Sequence, residues 1–253
     1  AAVDLNGDGR PEVIASRYQD GKSYETESAV FWNGPDGFSG ESVTRFSTGG
    51  AMGCTAGDLD GDGRPEIIFN STMGGPSQFD NDFPLYIYLG NETGEYSPSR
   101  RLELPTGGGT NTYVLADLNL DGCPDLVMIS PEGLRLFHGG PDGPDRDRYT
   151  ILPSRGETFY YVLTADFNRD GWLDLLAIGY TYDDNPETMA RSSVIFYGGP
   201  DGYSEENSTV VPTYCNGNAQ IADVDRNGWL DIIFHDPSGR LSIYFGGPDG
   251  YSE

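Results

Sequence analysis

Asp58-Leu59-Asp60-Gly61-Asp62-Gly63-Arg64-Pro65-Glu66 is one of five copies of a single phrase, Asp-x-Asp/Asn-x-Asp/Asn-Gly-x-x-Asp/Glu. The other copies begin at Asp4 (DLNGDGRPE), Asp117 (DLNLDGCPD), Asp166 (DFNRDGWLD) and Asp223 (DVDRNGWLD). Successive starts lie 54, 59, 49 and 57 residues apart. A phrase that recurs at this interval marks a repeat architecture, and its residue types mark a metal chemistry. Asp, Asn and Gly also make ordinary turns, but five in-phase copies with an acid always at position 9 are not what turns alone require.

Positions 1, 3 and 5 put oxygen side chains on alternate residues of a tight loop, and glycine at position 6 lets the backbone turn where a side chain would clash. Position 7 offers its carbonyl and position 9 a carboxylate. The candidate ligand sets are Asp4, Asn6, Asp8, Arg10 and Glu12; Asp58, Asp60, Asp62, Arg64 and Glu66; Asp117, Asn119, Asp121, Cys123 and Asp125; Asp166, Asn168, Asp170, Trp172 and Asp174; and Asp223, Asp225, Asn227, Trp229 and Asp231. Hard oxygens in a short flexible loop suit Ca2+ better than Mg2+, and no His or Cys side chain is a ligand for Zn2+. Up to five ions are expected, one per loop. An EF-hand would close with Glu at position 12 between helices. Here the closing acid is at position 9, and β-type runs follow it, such as Ile67-Ile68-Phe69 and Leu126-Val127-Met128-Ile129.

Each repeat has the same parts: an apolar lead-in, the acidic loop, a second strand, a variable connection, a third strand and a glycine turn. The turns read VFWNGPDGF (30–38), YIYLGNETGEY (86–96), RLFHGGPDG (135–143), IFYGGPDGY (195–203) and IYFGGPDGY (243–251). A more polar fourth strand follows, as at Ser42–Phe46 and Arg100–Leu104. Four short antiparallel strands per repeat is the arithmetic of a β-propeller blade. The expected fold is therefore all-β, a single propeller domain over 1–253 with blades near 1–52, 53–111, 112–160, 161–217 and 218–253. Its last blade is expected to lack a fourth strand.

The acidic loop and the glycine turn, recurring in register along the whole chain, resemble the FG-GAP/VCBS repeat family of calcium-binding β-propellers, which includes the integrin alpha-subunit head. The resemblance implies that each acidic loop joins the first two strands of a blade and binds Ca2+. Propellers of that family usually have six to eight blades, so five blades imply a piece of a larger ring, a five-bladed closure, or open edges that pair between molecules.

Composition narrows the partners. The formal net charge of −25 makes nucleic acid and anionic membrane surfaces poor partners, so neither nucleic-acid binding nor membrane insertion is expected. No run approaches the roughly 18 apolar residues of a membrane span. The loops hold 16 of the 40 acids, and five divalent ions would add ten positive charges. Three cysteines, Cys54, Cys123 and Cys215, suggest no disulfide framework. Asn70, Asn91 and Asn207 each open an Asn-x-Thr sequon.

Strand direction puts the acidic loops and glycine turns at one end of each sheet. The longest and most varied connections then lie at the other end, where recognition by a protein or glycan is expected. Tyr18, Tyr24, Phe79, Phe83, Tyr180, Tyr182 and Arg191 are the candidate contacts there. The catalytic inventory is thin: His138 and His235 stand at strand ends, and neither H-E-x-x-H nor G-x-S-x-G occurs. The expectation is a non-catalytic, calcium-binding recognition or adhesion module, located extracellularly, at the cell surface or in the periplasm. The alternatives are the propeller portion of a secreted polysaccharide-degrading enzyme and a purely structural repeat.

Overall fold

The computed structural model describes residues 1–71, 83–91, 93–108, 112–179, 191–213, 218–235 and 241–252. Among these every regular element is a strand, grouped in five antiparallel sheets of four. The first sheet holds β1 (Ala2–Val3), β2 (Glu12–Ala15), β3 (Glu27–Gly34) and β4 (Gly37–Ser47). The second holds β5 (Ala51–Gly57), β6 (Glu66–Ser71), β7 (Leu85–Gly90) and β8 (Tyr96–Leu104). The third holds β9 (Tyr113–Ala116), β10 (Asp125–Ser130), β11 (Gly133–Phe137) and β12 (Thr150–Pro153). The fourth holds β13 (Phe159–Ala165), β14 (Asp174–Gly179), β15 (Arg191–Phe196) and β16 (Ser208–Thr213). The fifth holds β17 (Ala219–Ala222), β18 (Asp231–His235), β19 (Leu241–Gly247) and β20 (Gly250–Ser252). Within each sheet the strands neighbour one another in sequence order, which is the blade of a propeller.

The core lies between sheets. Side chains alternate along a strand, so a sheet stacked on both sides needs apolar residues at consecutive positions. In β6, Ile67 and Phe69 pack against the first sheet, with Leu5, Ile14 and Phe46, while Ile68 joins Leu126, Met128 and Phe137 of the third. In β10, Val127 and Ile129 face the fourth sheet. In β14, Leu175 and Ala177 face the third, and Leu176 and Ile178 meet Ile232 and Phe234 of the fifth. Four such interfaces link the five sheets. Each fully buried apolar side chain contributes roughly 1.5–3 kcal/mol, so stacking is the main term that orders neighbouring sheets.

One expectation is corrected. The fifth sheet does have a fourth strand: β20 pairs with β19 through Gly247–Gly250, Gly246–Tyr251 and Phe245–Ser252. Pro248 and Asp249 form a two-residue hairpin loop, so the fourth strand starts at the last glycine of the turn rather than beyond it. The first sheet does the same, with Gly34 opposite Gly37. Its β4 thus begins ahead of Ser42, and β8 begins at Tyr96 rather than Arg100. The strands β5 and β13 begin at Ala51 and Phe159, two residues ahead of the repeat starts read from the sequence.

Candidate metal centres

All five acidic loops fold alike because their own backbone amides organise them. The position-1 carboxylate accepts from the position-6 glycine N–H in every copy: Asp4 from Gly9 (2.8 Å), Asp58 from Gly63 (2.9 Å), Asp117 from Gly122 (3.0 Å), Asp166 from Gly171 (3.1 Å) and Asp223 from Gly228 (3.0 Å). These five glycines have φ between 83° and 94°, where a Cβ is strained. The position-3 side chains Asn6, Asp60, Asn119, Asn168 and Asp225 accept from the N–H of position 5. The position-5 side chains Asp8, Asp62, Asp121, Asp170 and Asn227 accept from the N–H of position 7, held by Arg10, Arg64, Cys123, Trp172 and Trp229.

The closing acid is buried in every copy: Glu12, Glu66, Asp125, Asp174 and Asp231. One oxygen accepts from the N–H at position 2, at 2.8, 2.8, 3.0, 2.7 and 2.7 Å for Leu5, Leu59, Leu118, Phe167 and Val224. Where the acid is Asp, its other oxygen accepts from a glycine N–H at or just past the end of the third strand: Gly139, Gly198 or Gly246, each at 2.9 Å. The longer Glu side chains are not sealed this way, and Glu12 Oε1 is buried without a hydrogen-bond partner.

The donor set fits a hard cation. One carboxylate oxygen from each of Asp58, Asp60 and Glu66 lies within 4.8 Å of the others, and the same holds for Asp223, Asp225 and Asp231. Asp58 Oδ1 is buried without a partner among the hydrogen bonds of the protein, as Glu12 Oε1 is. Desolvation is the largest cause raising the Glu66 carboxyl to about 7, with Asp60 and Asp58 adding repulsion; burial likewise raises Asp174 to about 6. In the first two loops the position-7 arginine folds back on the position-5 acid, Arg10 on Asp8 at 2.6 Å and Arg64 on Asp62 at 3.3 Å. In the third, His138 Nδ1 lies 3.2 Å from Asp125 Oδ1, which gives this histidine a structural partner.

The sequence did not reveal a tyrosine wedge. Tyr96, Tyr203 and Tyr251 follow the glycine turn and donate their hydroxyls to position-8 carbonyls of Pro65, Leu173 and Leu230. Tyr251 also packs edge-on against Phe167 of the preceding sheet, with ring centroids 6.2 Å apart. The signal was present, as the aromatic that follows four of the five glycine turns, but only stacked sheets give it a role.

The far-end candidates are less convergent. Tyr18 and Tyr24 meet edge-to-face at 5.1 Å. Phe83 packs locally, in line with the space above Gly49, where a Cβ would meet its ring at 3.3 Å. Arg191 opens β15, its backbone in register with Thr213. Phe79, Tyr180 and Tyr182 lie outside the described residues, as does Cys215; Cys54 and Cys123 are free thiols. Asn70 is buried at 3% exposure and its sequon is closed to modification in the folded chain.

The signature of the FG-GAP-like repeat matches residues 4–69 and 117–177. Integrin alpha-7 of Homo sapiens is 28% identical over 185 residues, which are 66% of this chain and 14% of that protein's length. Among solved structures, an Agrocybe aegerita lectin described for specific recognition of non-reducing terminal N-acetylglucosamine has a TM-score of 0.55 at 15% identity. The likeness covers 99% of this chain and 63% of the lectin, and it concerns the fold alone.

Proposed function

This chain belongs to the FG-GAP-like repeat family, and from that premise we propose that it is a non-catalytic, calcium-stabilised recognition module that works outside the cell or at its surface. The observation that carries the reading is the convergence of Asp58, Asp60 and Glu66, and of Asp223, Asp225 and Asp231, in loops built only from oxygen donors. Three carboxylates gathered with little counter-charge repel one another, and a divalent cation removes that repulsion.

In this reading the side chains at positions 1, 3, 5 and 9 and the carbonyl at position 7 hold Ca2+ in each loop. The ion joins the end of a first strand to the start of a second. Loops of this kind suit the weak extracellular range, with dissociation constants on the order of 10⁻⁴–10⁻³ M, and so a compartment with millimolar calcium. The integrin relative points to the same location. The partner is a protein, for which the Tyr18–Tyr24 pair at the far end is a candidate contact, or a glycan.

Isothermal titration of chelator-stripped protein with CaCl2, and separately with MgCl2, tests this. Saturable binding of Ca2+ in preference to Mg2+ is expected. No binding at millimolar Ca2+ would sink the proposal.

A further inference from the structure

We infer that three grooves between adjacent sheets, at the end that carries the acidic loops, are binding sites for neutral saccharides. This deepens the recognition reading above and rests on it for the role of the chain, but it moves the ligand to a different end of the sheets.

The grooves are equivalent by position. The first, between the first and second sheets, is about 530 Å³ and is lined by Asn6, Trp32, Thr44, Glu95 and Tyr96. Another, between the third and fourth sheets, is about 180 Å³ and is lined by Asn119, His138, Thr150, Trp172, Asp201 and Tyr203. The last, between the fourth and fifth, is about 380 Å³ and is lined by Asn168, Tyr197, Thr209, Trp229, Asp249 and Tyr251. Each combines the position-3 asparagine, an aromatic ring at the end of a third strand and a fourth-strand threonine with the glycine turn of the next sheet.

The chain has three tryptophans, and each lines one of these grooves. None is fully buried, though Trp32 packs against the core between the first two sheets; the buried core itself is built from aliphatic residues, Met, Phe and Tyr. A partly exposed indole at the lip of a polar cleft offers a flat apolar surface with a polar edge. That surface matches the C–H face of a pyranose ring. The polar groups around it match the hydroxyls. Trp32 Nε1 donates to Thr44 Oγ1 at 2.9 Å, and the Tyr197 hydroxyl to Thr209 Oγ1 at 3.2 Å, so both threonines are held in place and keep their own protons to donate. Arg169 stacks over one face of Trp229 at 5.3 Å. Glu95, Asp201 and Asp249 are exposed acceptors at the rims. A few placed polar groups beside aromatic surface is the usual composition of a small-ligand site.

Charge selects among saccharides. Arg100 lines the first groove and Arg169 stands over Trp229, but the exposed carboxylates at the rims and the net charge of −25 outweigh them, so sulfated and uronic-acid glycans are disfavoured relative to neutral ones. The junction between the second and third sheets differs: position 7 there is Cys123, and the turn is followed by Pro144 in place of tyrosine. Three like grooves on one chain also favour branched or clustered glycans through avidity.

The test uses the whole calcium-loaded chain on an array of neutral oligosaccharides ending in hexose, N-acetylhexosamine or deoxyhexose, printed beside sulfated and uronic-acid glycans. Neutral glycans are expected to bind, and titration with the best of them to shift the intrinsic tryptophan emission. Trp172→Ala combined with Trp229→Ala should weaken binding to a multivalent neutral glycan at least about tenfold, while Tyr18→Ala with Tyr24→Ala leaves it unchanged. Melting curves check that the variants fold, and the emission shift of the parent protein stands if they do not. Absence of neutral-glycan binding, preference for anionic glycans, or loss only in the Tyr18/Tyr24 variant would overturn the inference. Calcium heats without glycan binding overturn the grooves alone; glycan binding without calcium heats overturns the metal reading alone.

Discussion

The hydroxyl of Tyr96, in the second sheet, donates to the main-chain carbonyl of Leu5, in the first acidic loop, at 3.2 Å. It also reaches the Pro65 carbonyl of its own loop. One side chain thus ties two acidic loops across a sheet boundary, through a contact between residues 91 apart in sequence. The contact has two halves, the aromatic after a glycine turn and the position-2 residue of the preceding loop. Leu5, Leu59, Leu118 and Phe167 are buried there, whereas Val224 of the fifth loop is 46% exposed and Phe38, after the first turn, is 54% exposed. Those two are the halves that lack a neighbouring sheet among the described residues.

Tyr96→Phe removes the one O–H that the two carbonyls share while keeping the ring. The expected cost is about 0.5–1.5 kcal/mol, and Tyr96→Ala should cost about 3–5 kcal/mol by emptying the wedge. Urea unfolding measures both. A Phe variant as stable as the parent would show that the hydroxyl only fills space.

Two adjacent glycines should respond differently to the same change. A Cβ on Gly198 would stand 2.4 Å from the Leu173 carbonyl oxygen, while one on Gly199 meets nothing within 4 Å. Gly198→Ala must push the third strand off the loop and disturb the N–H that serves Asp174, costing roughly 1–3 kcal/mol or more. Gly199→Ala should be close to neutral. Thermal melts of the two variants side by side decide this, and equal melting points would contradict it.

Without metal, stability should fall as pH rises from about 5 to 8. The Glu66 carboxyl is raised from 4.5 to about 7, and that of Asp174 from 3.8 to about 6, both mainly by burial. A raised folded-state value means that the folded chain binds the proton more tightly than the unfolded chain. Stability from these groups is therefore greatest below the unfolded values and is lost as pH climbs through the folded ones. Melting temperatures in chelator across this window give the slope, and Ca2+ should flatten it by favouring the ionised carboxylates. A metal-free melt that rises with pH over this range would refute the assignment.

Chelation should lower the melting temperature and Ca2+ restore it. At about 10 mM Ca2+ and dissociation constants of 10⁻⁴–10⁻³ M, mass action gives about 1–3 kcal/mol per site. Asp62→Ala should remove one binding event in calorimetry and leave the others, because repeats interact chiefly with their neighbours. Simultaneous loss of every site would show the loops to be one cooperative unit.

The sequence alone determined the all-β class, the five repeats and the conformation of each acidic loop. Those features are local: Asp58 reaches the amide of Gly63 within its own nine residues, and the apolar run Ile67-Ile68-Phe69 states that both faces of its strand are covered. What covers those faces was decided only by tertiary structure, because stacking joins residues a whole repeat apart. Tyr96 looks like a turn residue until the first sheet supplies the Leu5 carbonyl. The hairpin that gives the fifth sheet its fourth strand was misread because Gly-Pro-Asp-Gly can open a loop or close a two-residue turn, and only the pairing of Gly247 with Gly250 selects the turn. The grooves beside Trp32, Trp172 and Trp229 exist only once neighbouring sheets stand side by side, since each is built from two repeats.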